Sequence, residues 1–164
     1  MMVEAAGSGL TADILRAGDV AAVGDHRMVA GYWITDGELY RVNLDGWIES
    51  AGPEGLMHLL AASDSHRARL EQRIVCATTH RATARIADLF LAVHNAAPQP
   101  SIKLSQEQMG SMLGLRRTTV NGSCRTLELG GGTRTRRGQI RIVDAKVLDQ
   151  AACGCRCAGT VAAA

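Results

Sequence analysis

Apolar and polar positions change rhythm twice along the chain. From residue 18 onward, "GDVAAVGDHRMVAGYWITDGELYRVNLDGWIESAGPEG" sets short apolar runs between Gly-Asp, Asp-Gly and Gly-Pro pairs, the punctuation of short strands and tight turns. Strands are expected at residues 32–35, 39–44 and 47–50, with Asp36-Gly37 and Asp45-Gly46 as two-residue hairpin loops that need positive φ. After Pro53 the rhythm becomes helical. "LMHLLAASDSHRARLEQRIVCATTHRATARIADLFLAVHNAA" contains no Gly or Pro and puts Leu56, Leu59, Leu60, Leu70, Ile74, Ala77, Ile86, Leu89, Phe90 and Val93 at helical spacing. It is too long for one globular helix, so a break is expected at residues 63–65, a helix to about residue 80, a hinge at 81–83 and a second helix to about 95.

Beyond Pro98 and Pro100 the periods shorten. Residues 105–113 predict a short helix with a capping box, in which Ser105 accepts from the backbone of Gln108 while the Gln108 side chain reaches back. Gly114 ends it. A second helix is expected over residues 117–129, then a basic turn with an alternating strand in "RTRRGQIRIVD", and a last short helix over 145–152.

Charge divides the chain in the same place. Residues 1–100 carry twelve acidic and eight basic groups, whereas residues 101–164 carry ten basic and four acidic, net +6. A polyanion would meet the second part only. Aromatic residues make up 3% of the chain, too few for the stacking platforms of single-strand binders. No apolar run reaches membrane-spanning length, and the N-terminus lacks the pattern of a secretion signal, so no membrane partner and a cytoplasmic location are expected.

The informative stretch is "LSQEQMGSMLGLRRTTVNGSCRTLELGG". A helix-turn-helix needs a small residue where its helices touch, a glycine at the turn and apolar groups between them. Gly110, Gly114 and the set Met109, Leu113, Leu115 and Val120 supply these. With Val120, Cys124 and Leu127 turned inward, Arg117, Thr118, Asn121 and Arg125 point outward. Arginine can donate twice to guanine, asparagine can read adenine, and threonine can bond a phosphate or touch a thymine methyl. Arg134, Arg136 and Arg137 beside Gly138 would form a phosphate-facing wing.

The segment "RATARIADLFLAVHNA...LSQEQMGSMLGLRRTTVNGSCRTLE...RRGQIRIVD" resembles the C-terminal winged helix of the Crp/Fnr family of bacterial transcription regulators, over roughly residues 80–153. The resemblance implies an α+β fold: a partial β-roll over 1–55, a connecting and dimerisation helix over 56–80, a winged helix-turn-helix over 81–153 and a flexible tail over 154–164. It implies a homodimer on double-stranded DNA, with half-sites about 34 Å apart and RNA polymerase as a further partner. Arg117 takes the family's base-reading position and Thr119 a backbone-contacting one, while Thr118 and Gly122 stand at groove-facing positions where well-known members hold Glu and Arg. The DNA-contacting set expected is therefore Arg116, Arg117, Thr118, Thr119, Asn121, Arg125, Arg134, Arg136 and Arg137.

Departures from the family pattern predict weak points. Ser123 replaces an aliphatic residue between the helices, a loss of roughly a few kcal/mol. Gly122 inside a helix costs about 1 kcal/mol relative to alanine. "GGGT" stands where the family has "AGLI", so Gly132 and Thr133 predict a looser wing. Residues 1–55 are near half of a complete β-roll and lack a phosphate-binding cassette, since Gly37-Glu38 has no following arginine, so cyclic nucleotide binding is not expected.

Other chemistry carries less. Cys153, Cys155 and Cys157 in "CGCRC" could hold a soft metal as thiolates, and Cys76 with His80 forms an i, i+4 pair, but neither set is complete, and the expectation is no metal and no cofactor. The histidines form no zinc-binding pattern, and no nucleophile elbow or phosphate loop appears, so enzymatic activity is not expected. Two other readings fit the same residues: a shortened partner that dimerises through 64–80 and blocks a full-length relative, or a thiolate metal-responsive regulator.

Overall fold

The computed structural model describes residues 2–4, 11–14, 18–20, 30–32, 38–96, 102, 104–136 and 139–155. Three short strands, β1 (Met2–Glu4), β2 (Thr11–Ile14) and β3 (Ala30–Tyr32), form an antiparallel sheet in the order β2-β1-β3. They are followed by α1 (Leu44–Thr79), α2 (Ala82–Ala96), α3 (Gln106–Leu113) and α4 (Arg117–Leu129). Strands β4 (Thr133–Arg136) and β5 (Gln139–Ile142) and helix α5 (Ala145–Ala151) complete the order. Among the described residues no helix is long and apolar enough to cross a membrane.

The N-terminal strands are not where the alternation predicts them. β3 meets the expected strand 32–35 only at Tyr32, and residues 33–37, with the Asp36-Gly37 turn, lie outside the described residues. Residues 39–43 carry no regular structure, and 47–50 are helical. Asn43 explains the second error: its side chain accepts from the backbone N–H of Gly46 at 3.1 Å, so Asp45-Gly46 is the capped first turn of a helix and not a hairpin loop. Asp, Asn and Gly serve both purposes, which leaves local sequence ambiguous.

Helix α1 also breaks elsewhere than expected. Residues 63–65 are helical, and the interruption is at Gly52 (φ 60°, ψ −156°), followed by Pro53 at the first position of the next helical piece. The polar residues read as a break form a solvated face, where Arg67 pairs with Asp64 at 2.7 Å and Glu71 at 2.6 Å. Arg69 ties α1 to the N-terminal segment through a largely buried ion pair with Asp19 at 2.7 Å. The hinge is at His80 and Arg81, between α1 and α2.

Helix α2 is the core of the C-terminal unit. Residues 86–91 are all buried because α3, α4 and α5 pack around them, and Phe90 and Ile86 are fully enclosed together with Leu104, Met109, Val120 and Leu148. The α3–α4 pair closes on one contact. A methyl on Gly110 would stand 2.8 Å from the Leu115 carbonyl oxygen, and the Leu115 N–H donates to the Gly110 carbonyl at 2.9 Å. Gly114 adopts the left-handed conformation (φ 62°) that ends α3. The obstacle to a methyl is backbone, which cannot swing away as a side chain does. Gly110→Ala is therefore expected to destabilise the chain by about 1–3 kcal/mol, read as a lower midpoint in chemical unfolding.

Candidate nucleic-acid interface

The first helix of the pair begins as predicted. Ser105 Oγ accepts from the Gln108 N–H at 3.1 Å, and Gln108 Oε1 accepts from the Ser105 N–H at 2.8 Å. At its other end, two arginines hold the last carbonyls: Arg85 of α2 donates to Leu113 at 2.5 Å, and Arg73 of α1 donates to Met112 at 3.1 Å. Charged donors on carbonyls at a helix C-terminus are favourable twice over, as hydrogen bonds and against the dipole. They also orient α3, and α3 orients α4.

Helix α4 buries Val120, Ser123, Cys124 and Leu127. At 100° per residue, Arg117, Asn121, Arg125 and Thr118 then share an arc of roughly 100° on the exposed side. Between residues 117 and 125 the helix rises about 12 Å, close to the width of a major groove. Thr119 is exposed but lies on the opposite flank of α4, and Arg116 is its exposed N-cap. Arg116 makes no side-chain capping bond, and the first turn holds no acidic residue. Two arginines thus stand at the positive end of the helix dipole, an arrangement that an anion would relieve.

Ser123 is accommodated differently than its type predicts. It is 5% exposed, and its hydroxyl accepts from Thr83 Oγ1 of α2 at 3.2 Å, so the buried polar group has a partner. Gly132 is likewise accounted for. A methyl there would lie 3.0 Å from Leu148 Cδ2 and 3.4 Å from Val147 Cγ1, so helix α5 fills the space that a larger residue at 132 would take. Its carbonyl accepts from Val143 and Asp144, and its N–H donates to Leu127. Thr133 is buried.

The wing is a two-stranded hairpin in which Arg134 faces Arg141 and Arg136 faces Gln139. Residues paired directly share a face, so Arg134, Arg136 and Arg141, all exposed, form one basic surface. Arg137 lies outside the described residues. Arg141 is missing from the sequence-derived set; the alternation of "QIRI", with Ile140 buried, is the signal that turns it outward. Like charges directly opposite one another destabilise a hairpin, so this face has an electrostatic cost in isolation. Two contacts hold the wing in place: Ile102 exchanges backbone bonds with Ile140 at 2.7 and 3.2 Å, and Glu128 of α4 accepts from the Thr135 N–H at 3.1 Å.

Away from this surface, the chain after α5 turns back on α2, with the Cys153 N–H donating to the Ala84 carbonyl at 3.3 Å. This brings Cys153 and Cys155 to Cys76 in the last turn of α1. The tail grouping expected at 153, 155 and 157 is thus joined by a helix residue, while Cys157 lies outside the described residues. Burial pushes the Cys76 thiol up to about 12, helped by its hydrogen bond with Cys153, and burial also raises Cys153. Cys124 is raised by burial in the core and by the Glu128 carboxylate.

Comparison with known proteins agrees with this geometry. Residues 84–151, from α2 to the end of α5, match the Crp-like helix-turn-helix domain family. The chain is similar to the solved structure of FixK2 from Bradyrhizobium japonicum, with 21% identity, coverage of 75% of this chain and 61% of that one, and a TM-score of 0.61. It is similar to a transcriptional regulator of the CRP/FNR family from Thermus thermophilus (24% identity, 61% and 55% coverage, TM-score 0.56). A second CRP-family regulator from that organism has 18% identity, 61% and 54% coverage and a TM-score of 0.53. The chain spans about half to three-fifths of the length of these structures. No curated protein matches it.

Gly122 is a second place on α4 where sequence and helix conflict. It is exposed, and nothing stands within 4 Å of a methyl built on it. Gly122→Ala is expected to stabilise the chain by about 1 kcal/mol in denaturant unfolding.

Proposed function

We propose that this chain, which carries a Crp-like helix-turn-helix domain, is a transcription regulator that binds duplex DNA by laying the outward arc of α4 in a major groove. What supports this reading is that one unit matching the Crp-like domain carries both the outward arc of α4 and an arginine-rich wing. Arg117, Thr118, Asn121 and Arg125 offer donors and acceptors to base edges and nearby phosphates, and Arg134, Arg136 and Arg141 offer charge to the backbone beside them. Arg116 and the uncapped start of α4 add a site for a phosphate. Thr119, on the far flank, serves at most a backbone contact.

The recognition unit acts as one of a pair in this reading. Helix α1 leaves Leu56, Met57, Leu60, Ile74 and Val75 exposed, between 44% and 66%, on a helix that no described element covers along its length. A second copy of the same helix is the partner whose chemistry fits, because a two-fold contact buries each apolar row against its own image. A homodimer so joined presents two copies of α4 to two half-sites.

Two measurements test these statements separately. In gel shifts against a pool of random duplexes, the chain is expected to select a sequence, Arg117→Ala to lose about 1–3 kcal/mol and discrimination at one base position, and Arg141→Ala to weaken all sequences alike. Equal binding of every duplex by the wild-type chain would remove the base-reading role of α4. In sedimentation at micromolar concentration, the chain is expected to be a dimer and Ile74→Glu a folded monomer; a monomeric wild-type chain overturns the homodimer.

A further inference from the structure

Three cysteines that DNA binding does not use are gathered in one place. The Sγ atoms of Cys76, Cys153 and Cys155 all lie within 4.8 Å of one another, with Cys76 and Cys153 at 3.6 Å. An ion with metal–sulfur bonds of about 2.3 Å and tetrahedral angles holds its sulfurs about 3.8 Å apart. The three thiols thus stand near coordination spacing already. Their placement follows from the fold and not from tail reach. Asp144 caps α5 by accepting from Lys146 and Val147, Leu148 anchors α5 in the core, and the Cys153 N–H is tied to Ala84.

Burial disfavours free thiolates at Cys76 and Cys153, so the charge of a bound ion is what would hold them deprotonated. All three cysteines are partly buried, shielded from bulk water yet open to an entering ion. Gln72, one helical turn before Cys76, donates from Nε2 to Cys155 Sγ at 3.4 Å, the type of outer hydrogen bond that orients a ligand sulfur and disperses its charge. Sulfur donors without an oxygen-rich set disfavour Mg²⁺ and Ca²⁺ and favour thiophilic ions.

We propose that Cys76, Cys153 and Cys155 form a three-thiolate site for one soft metal ion of the Zn²⁺ or Cu(I) class. Each thiol that binds gives its proton to solvent, the ion enters in the oxidation state it keeps, and no electron is transferred. The site straddles the hinge at His80 and Arg81, with Cys76 before it and both other ligands after it. An ion there braces α1 against the winged unit, in parallel with the bond from Arg73 to Met112. Resting on the DNA-binding reading, that brace sets the angle at which α4 leaves the dimer helix, so occupancy alters DNA affinity.

The test uses the full chain, reduced by a phosphine under argon and free of DNA, so that its outcome is independent of DNA binding. Zn²⁺ is titrated in competition with a chromophoric chelator, and Co²⁺ serves as an optical probe. One equivalent is expected to bind, with a thiolate-to-cobalt charge-transfer band. Cys76→Ser, Cys153→Ser and Cys155→Ser should each weaken uptake beyond the roughly 10–100-fold that loss of an outer-shell partner causes. Because a variant could misfold, alkylation of the wild-type chain followed by peptide mapping gives a second reading, in which Zn²⁺ is expected to protect Cys76, Cys153 and Cys155. Absence of stoichiometric uptake of Zn²⁺ and Cu(I), uptake undiminished in Cys76→Ser, or no protection of Cys76 overturns the proposal.

Discussion

A methyl group at residue 110 would stand 2.8 Å from the carbonyl oxygen of Leu115, and the interface described above depends on that methyl being absent. The approach lets Met109 and Val120 reach complete burial between α3 and α4, with Leu113 and Leu115 packed against them. It also sets the rotation of α4 about its own axis. With Val120, Cys124 and Leu127 held inward, geometry leaves Arg117, Asn121 and Arg125 no direction but outward. A larger residue at 110 would separate the helices and turn the recognition arc away.

The rest of the structure supports that contact from both sides. Arg73 and Arg85 hold the end of α3, Thr83 satisfies Ser123 behind α4, and Glu128 carries the position of α4 into the wing through Thr135. On the outer surface of this unit, positive charge is left facing positive charge. Arg116 and Arg117 oppose the dipole of α4, and Arg134 opposes Arg141 across the hairpin. Both arrangements are mildly unfavourable in the free chain and are relieved by phosphates, so the electrostatic strain falls where the polyanion would bind.

Most of the C-terminal unit was legible in the sequence because its signals are local and carry a mechanism. The Ser105–Gln108 box, Gly114 and the inward triad of α4 each specify one backbone geometry, and the structure agrees with them. What escaped depends on groups distant in sequence. Nothing near Ser123 announces Thr83, forty residues earlier, and nothing near Gly132 announces Leu148. Cys76 and Cys153 are separated by 77 positions and meet only because α5 returns the chain to α2. The N-terminal misreadings have the opposite cause. Asn43-Leu44-Asp45-Gly46 is a local signal with two valid meanings, turn or helix start, and context selected the helix. Arg141 was missed through reading the arginines as a cluster in sequence, although strand pairing made a cluster in space.

The measurement that bears most directly on this account is the salt dependence of binding to a fluorescent duplex, followed by anisotropy. Six arginines per chain, at 116, 117, 125, 134, 136 and 141, are exposed on α4 and the wing, and each phosphate neutralised contributes about −0.9 to the slope of log K against log salt. The account predicts a slope of several negative units, with tight binding at low salt that is lost as salt rises. A folded chain that fails to bind duplex at low salt, or binds with a slope near zero, would contradict it.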